Sequence, residues 1–220
     1  MDNQERPLVE QARILASQQP KGPCPECGEE SPRFKKHDQR NRKLRVIDGN
    51  FVRVLVVVLG RWECCHCGRT FTHYPSFIQR HKRYALDDLL RIASSYLFDE
   101  DATYREASSQ CGSPLGYEQQ ECGGIDERQM DHSTPRRWVG WLGGLTQLLH
   151  AALNLLRQTN SAFWLHRFPL VIPRQKYRNT TRRQMLQCAQ LLLITAADYT
   201  RHFGQTIFPT LCHSHPVHPC

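Results

Sequence analysis

The sequence predicts an α+β protein in which a small β module built around four cysteines precedes a mainly α-helical part. Two Cys-x-x-Cys turns, each followed by glycine, occupy 24–28 and 64–68, and a β-branched stretch lies between them. After Phe77 the apolar residues recur at helical instead of strand spacing. We expect an N-terminal helix or arm (1–19), the cysteine module (20–80), a helical domain (81–205) and a Cys/His tail without fixed structure (206–220).

The two turns predict one metal site. Zn²⁺ takes four soft ligands in a tetrahedron, each turn supplies two thiolates, and the glycine that follows relieves the tight backbone. Cys65 also lies in the second turn, but only Cys64 keeps the two-residue spacing to Cys67. The alternatives are buried or redox-paired thiols, and histidine ligands drawn from His37, His66 and His73. We assign one structural Zn²⁺ to four ligands: Cys24, Cys27, Cys64 and Cys67.

The residues between and after the turns predict a zinc ribbon. "KLRVID", the turn Gly49-Asn50 and "FVRVLVVVLGRWEC" indicate a β-hairpin, and "TFTHY" indicates a third strand. A small sheet that is held by a metal in place of a large apolar core is the plan of a zinc ribbon. Four thiolates leave no open position for water, so we expect the metal to stabilise the fold and to do no chemistry.

The charge distribution favours a polyanionic partner. The chain carries 29 Lys and Arg against 21 Asp and Glu, a net charge of +8, and from residue 132 to the end the only acid is Asp198. Besides this C-terminal excess, a basic run follows the first Cys-x-x-Cys turn. The run can also be interpreted as a solvated charged loop. The candidate phosphate contacts in this run are Lys35, Lys36, Arg40, Arg42, Lys43 and Arg45.

No secretory or membrane segment is readable in the sequence. The first twenty residues are acidic and polar, and the longest apolar run, 54–59, is far shorter than the ~20 residues that a membrane helix needs. We therefore expect a cytoplasmic protein whose cysteines are thiols or metal ligands and not disulfides.

Helical periodicity dominates the rest of the chain. "ALDDLLRIASSYLF" predicts an amphipathic helix, and "DATYREASSQCG" predicts a short one that begins at Asp101 or Thr103. The stretch 113–131 has no period and is expected to be a loop; Cys111 and Cys122 flank it and would need further ligands such as His132 to bind a second metal. "LTQLLHAALNLLRQ" and "TRRQMLQCAQLLLITAADYTRHFG" predict two more helices, the second ended by Gly204.

The segment "DHSTPRRWVGWLGGL" predicts the helix with the strongest functional signal. Ser133 or Thr134 is expected as the N-cap, and Pro135 suits the first helical position. Basic residues in a first turn oppose the helix macrodipole, which favours an external role for them. The second helix of a helix-turn-helix presents its N-terminal residues to base edges, so Thr134, Arg136 and Arg137 are candidate DNA contacts. The alternative is a helix packed in an all-α core with merely exposed arginines.

Several of these motifs resemble a known family. "CPECG", the basic segment His37 to Arg45, "RWECCHCGRTFTHYPSF" and "HKRY" are similar to the zinc-ribbon segment that opens many bacterial insertion-sequence transposases and their shorter relatives, over roughly residues 20–105. "TYREA" and "STPRRWVGWL" are similar to the paired helices that follow, although the gap between them is longer than a turn of about 3 to 4 residues. The resemblance implies that the ribbon helps to bind the DNA ends of the mobile element.

The sequence predicts a DNA-binding protein and no enzyme. The transposases that the chain resembles cleave DNA with three separated carboxylates that hold two metal ions. In this sequence only Asp198 remains after Asp131. The expected partners are double-stranded DNA and, through the resemblance, a transposase or a second copy of the chain, with no membrane and no small-molecule substrate. The chain would act as an accessory protein, a regulator or a truncated transposase relative. The alternative is a zinc-ribbon module that binds a protein partner, or a transcriptional regulator unconnected with transposition.

Overall fold

The computed structural model describes residues 5–110, 113–118, 125–159 and 179–208. Its elements are α1 Glu5–Ser17, β1 Phe34–Asp48, β2 Phe51–Cys64, β3 Thr70–His73, α2 Leu86–Phe98, α3 Tyr104–Ala107, β4 Ser109–Gln110, β5 Ser113–Pro114, β6 Gly116–Glu118, β7 Ile125–Gln129, α4 Ser133–Gly144, α5 Thr146–Thr159 and α6 Thr180–Phe203. A sheet lies in the N-terminal part and helices follow it. The predicted α+β class is confirmed at this level.

The predicted hairpin and third strand are present. Gly49, at the turn between β1 and β2, has a φ of 53°, a value that glycine adopts without steric cost. β3 pairs antiparallel with β2, placing Phe71 opposite Trp62. β1 is longer than "KLRVID" and begins at Phe34, so the basic run from Lys35 onward belongs to a strand and not to a loop.

Residue contacts divide the chain into two compact units. The first contains the described residues up to Val46 together with Val54–Leu86. The second contains the hairpin tip, Ile47–Arg53, and the described residues of Asp87–Leu211. The chain passes from the first unit to the second after Leu86.

The core of the first unit lies between α1 and the hairpin. Its buried apolar side chains come from α1, from both strands and from the segment before α2: Ala12, Leu44, Val46, Leu55, Val57, Leu59, Phe77, Ile78 and Ala85. Arg45 also bonds through its backbone to that segment, donating to the Arg83 carbonyl at 2.7 Å and accepting from the Ala85 N–H at 2.8 Å. The C-terminal half of β1 is therefore fixed on both sides.

In the second unit, the stretch 113–131 contains strands, and the loop prediction for it is wrong. β5 pairs with β4, and β6 pairs antiparallel with β7 and parallel with the start of β2 at Phe51 and Val52. These strands are only two to five residues long, too short for an alternating pattern to be visible in the sequence. α3 begins as expected at Thr103, whose hydroxyl accepts the Glu106 N–H while the Glu106 carboxylate accepts the Thr103 N–H.

Three helices form the C-terminal part of the second unit. α6 packs against α4 and α5, and it ends as predicted at Gly204, which has a φ of 68°. The N-cap of α4 is His132, with no side-chain cap bond, and Ser133 is already helical. The prediction of Ser133 or Thr134 as the cap is wrong because the Asp131 carboxylate takes this role and accepts the Ser133 N–H at 2.6 Å.

The helical unit extends past residue 205. Ile207 and Phe208 are fully buried, and the Phe208 ring lies 6.0 Å from the Trp141 ring. Ile207 and Phe208 therefore pack with the helices, whereas the sequence predicts a tail without fixed structure from residue 206 onward. The rest of the predicted tail, with Cys212 and Cys220, lies outside the described residues, as do Cys111 and Cys122.

Candidate metal centre and basic strand

The two Cys-x-x-Cys turns fold in the same way. The Gly28 N–H donates to the Cys24 carbonyl at 2.9 Å, and the Gly68 N–H donates to the Cys64 carbonyl at 2.8 Å. Each first cysteine also donates its N–H to the residue five positions later, Cys24 to Glu29 and Cys64 to Arg69. Gly28 and Gly68 have φ values of 75° and 67°, so both turns require glycine at this position.

The four predicted ligands converge. The Sγ atoms of Cys24, Cys27, Cys64 and Cys67 all lie within 4.8 Å of one another. Four thiolates at a Zn–S distance of ~2.3 Å would be about 3.8 Å apart in a tetrahedron, so the cluster fits a metal ion with little movement. Cys24 and Cys64 are buried and the other two are half-buried. The four-cysteine cluster could hold a metal ion.

Aromatic side chains cover this cluster. Phe34 and Trp62 are buried with Cys24 and Cys64, and Phe71 packs beside them. The rings of Phe34 and Phe71 meet edge to face, with their centroids 5.0 Å apart. A metal here would be shielded from water by the start of β1 and by the pairing of β2 with β3.

The thiols of the cluster differ in acidity. Burial raises the pKa of the Cys24 thiol to about 12. The backbone N–H of Cys67 is the main cause that lowers the pKa of the Cys64 thiol to about 7, with a further N–H from His66. Backbone donors around a sulfur stabilise its thiolate. A bound cation would supply the remaining charge needed to deprotonate the set.

The alternative ligands lie outside the cluster. Among the described residues, the group whose ligand atoms converge holds the four cysteines alone. Cys65 is exposed, and its N–H donates to the Arg33 carbonyl at 2.9 Å. His66 is exposed, with its Nδ1 3.9 Å from a Glu29 carboxylate oxygen.

The six basic candidates on β1 fall into two groups. Arg42 and Arg45 are half-buried, and their side chains contact other groups of the first unit. The Arg42 guanidinium donates to the carbonyls of Gln79 and Lys82, and that of Arg45 lies 5.5 Å from the centre of the Tyr84 ring. The other four candidates are exposed: Lys35, Lys36, Arg40 and Lys43.

The candidates on α4 are accessible at its first turn. Arg136 and Arg137 are exposed and Thr134 is half-exposed, while Pro135 and Trp138 are buried. Arg137 folds back on its own helix and donates to the Ser133 hydroxyl at 3.0 Å. α3 has only four residues, and strands stand between it and α4. This connection differs from the turn of about 3 to 4 residues in a standard helix-turn-helix.

The sequence analysis missed three residues that shape the basic strand. Asp38 is the only acid between Arg33 and Ile47, and the Arg61 guanidinium binds it at 3.1 Å. Gln39 and Asn41 are exposed amides between the exposed cations of β1. Had the basic run been interpreted as a strand, its alternation would have placed these amides on one face.

Fold and site together define an α+β protein with a four-cysteine cluster and an exposed basic strand. Residues 24–111 match the model of a family described as a domain of unknown function (DUF6431). The match begins at the first cysteine of the cluster and includes the hairpin, α2 and α3. No curated protein and no solved structure matches the chain. In the described part of the chain, every helix is too short or too polar to cross a membrane.

Proposed function

We propose that this chain is a zinc-stabilised protein that binds double-stranded DNA, a relative of insertion-sequence transposases that acts without a nuclease centre as an accessory protein, a regulator or a truncated form. One observation carries the proposal: four exposed cations, Lys35, Lys36, Arg40 and Lys43, lie on the strand that leads away from the four-cysteine cluster. A strand holds these charges at fixed spacings on its two faces, and regular spacing suits a regular polyanion.

Zinc is the metal that this donor set favours. Soft thiolates in a closed set of four are typical of structural Zn²⁺ sites and also of iron–sulfur sites. When bound, Zn²⁺ would supply the positive charge that links the two turns. The residues around it do the rest: Gly28 and Gly68 shape the turns, and Phe34 and Trp62 exclude water. These features support a zinc ribbon.

The exposed arginines of α4 support a second DNA contact. Arg136 is exposed in the first turn, where a cation is unfavourable next to the positive end of the helix dipole unless it has an external partner. Pro135 and Trp138 anchor the helix in the core, so the arginines are presented on a fixed support. This arrangement supports a recognition helix within a modified helix-turn-helix.

The environment of Asp198 supports the absence of a nuclease centre. It is the only acid after Asp131, it is buried, and its carboxylate accepts from the Arg201 guanidinium at 2.8 Å. A catalytic carboxylate that binds a metal ion needs an accessible oxygen and neighbouring acids. Asp198 therefore suits a structural role on α6.

The test is a fluorescence-anisotropy titration of zinc-loaded full-length protein with random duplex DNA at two or more salt concentrations. We expect the association constant to fall steeply with salt, because each phosphate contact contributes about −0.9 to the log–log slope. Replacing Lys35, Lys36, Arg40 and Lys43 by Gln should flatten the slope by about 2 if one face of the strand contacts the duplex and by about 4 if both do.

The matched control is Arg13→Gln, an exposed arginine of the same unit that is paired with Glu10. It should leave the salt slope unchanged. Absence of duplex binding at low salt would overturn the proposal and favour a protein-binding module. Metal-dependent cleavage of the duplex would overturn the proposal that the chain acts without a nuclease centre.

A further inference from the structure

One face of β1 carries side chains that contact the rest of the first unit, and the other face carries exposed polar side chains. Asp38 contacts Arg40, with 3.7 Å between a carboxylate oxygen and Nε, and Arg42 reaches the segment that packs on Leu44. Leu44 and Val46 are buried. The even-numbered positions from 38 to 46 therefore share the face that carries the buried Leu44 and Val46. Gln39, Asn41 and Lys43 lie on the opposite face, because side chains alternate along a strand. All three are exposed.

We infer that Gln39 and Asn41 read adenine bases in the major groove of duplex DNA, and that Lys35 and Lys43 hold the phosphates on either side. The inference rests on the proposed DNA binding and adds sequence recognition to it. A glutamine or asparagine amide can both accept from adenine N6 and donate to adenine N7. Uncharged amides add little to the attraction of phosphates. The position of Gln39 and Asn41 between Lys35 and Lys43 is therefore better suited to contacts with bases.

The dimensions of the strand match those of the duplex. Side chains two residues apart on a strand are separated by ~6.6 Å, and two base-pair steps along DNA span ~6.8 Å. Gln39 and Asn41 can therefore reach bases two steps apart without a change in the strand. Lys35 and Lys43 are eight residues apart, about 26 Å along β1, which places them beyond the bases that the amides read.

The positive charge of the β1 face that carries Gln39, Asn41 and Lys43 favours a polyanion as its binding partner. Between Arg33 and Ile47 the sole acid is Asp38, which lies on the other face and is paired with Arg61. β1 is the first strand in the sheet order, and Arg45 bonds through its backbone to Arg83 and Ala85, so a duplex would approach the exposed face that carries Gln39 and Asn41. Charged edge strands also prevent unwanted pairing with other chains, but that role needs no amides at alternate positions.

The experiment begins with selection of duplexes from a random library by the zinc-loaded full-length protein. Anisotropy then compares the selected duplex with a scrambled one for the wild type and for Gln39→Ala and Asn41→Ala. We expect each substitution to reduce the preference for the selected duplex by roughly 5- to 150-fold and to leave the affinity for scrambled DNA and its salt slope nearly unchanged. Gln11→Ala, an exposed amide on α1, is the matched control.

A chemical change in the DNA makes the test independent of protein folding. Replacing single adenines of the selected site by 7-deazaadenine removes the N7 acceptor. The wild type should lose affinity at two positions that are two base pairs apart, and Gln39→Ala should be insensitive at one of them.

Three results would overturn the inference and locate the failure. If duplex binding is tight and salt-dependent but shows no sequence preference, the reading role is wrong and the proposed function stands. The same conclusion follows if the preference survives in both amide variants and is lost in Arg136→Ala with Arg137→Ala, since α4 is then the reader. No duplex binding at low salt would remove the proposed function and the inference together.

Discussion

Arg61 joins all three strands of the first unit through Asp38 and Thr70. Its guanidinium donates to the Asp38 carboxylate on β1 at 3.1 Å and to the Thr70 hydroxyl on β3 at 2.9 Å. Burial alone would raise the pKa of Asp38, but the hydrogen bond and charge of Arg61 outweigh it and lower that pKa, with smaller help from Arg40 and His37. The acid within the basic run, Asp38, is thus kept ionised and neutralised.

Replacing Arg61 by Met should raise the pKa of Asp38. Because the folded pKa lies below the unfolded value of about 3.9, the stabilisation is complete above that pH and is lost as the pH falls through the folded pKa. At neutral pH we therefore expect the variant to have a lower free energy of unfolding than the wild type. On acidification the free energy of unfolding should fall less in the variant than in the wild type. An NMR titration of the Asp38 carboxyl carbon checks the shift. Arg40→Met, which removes the weaker neighbour, should move the pKa less; an equal shift would contradict this account.

Cys64→Ser should abolish metal binding, whereas Cys65→Ser should retain one metal ion per chain. Only Cys64 belongs to the converging cluster, and Cys65 is exposed beside it. Binding free energies at structural zinc sites are about 10–16 kcal/mol, as large as the whole stability of a domain, so the first unit should unfold when the site is lost. Elemental analysis measures the metal. Trp62, the only tryptophan before residue 138, reports the unfolding by its fluorescence.

The identity of the metal is decided in the same samples. Zinc gives no visible absorption, and replacement by Co²⁺ should give the intense sulfur charge-transfer bands of a four-thiolate site. The affinity should fall as the pH is lowered, because the ligands bind as thiolates and protons compete for them. Purified protein that contains iron and is coloured would contradict the zinc assignment.

Arg42 and Lys43 are adjacent cations with opposite expected roles. Arg42→Ala removes the donors to the Gln79 and Lys82 carbonyls and should cost about 1–3 kcal/mol of unfolding free energy, because these hydrogen bonds are charged. Lys43→Ala is exposed and should change stability by less than ~0.5 kcal/mol while weakening duplex binding. Urea unfolding and anisotropy on both variants check the contrast. A larger stability loss in Lys43→Ala than in Arg42→Ala would contradict it.

The parts of the fold that could be predicted from sequence are those with strong local signals. The two Cys-x-x-Cys spacings predicted which four cysteines come together, and they converge because the hairpin returns Cys64 to the level of Cys24. Long helices such as α6, with Gly204 at its end, show helical periodicity over many residues. In these segments the local preference and the tertiary structure agree.

The parts that could not be predicted depend on tertiary contacts. The basic run has no alternating apolar pattern because most of β1 before Leu44 is exposed on both faces, so nothing in its sequence marks it as a strand. The strands of 113–131 are too short to show a period, and β6 is ordered by pairing with Phe51 and Val52 from a distant part of the chain. The use of Arg42 within the fold likewise depends on the carbonyls of Gln79 and Lys82.

Gly143 permits the close packing of α4 on α6. A Cβ at this position would lie 2.3 Å from the Met185 carbonyl oxygen, which is backbone and cannot move without shifting α6. Gly143→Ala should therefore lower the unfolding free energy by about 1–3 kcal/mol, measured by urea denaturation. Gly144→Ala is the matched control, since nothing lies within 4 Å of its Cβ position, and its higher helix propensity should raise stability by up to ~1 kcal/mol. If both substitutions stabilise the protein, the two helices are not held as closely as this contact requires.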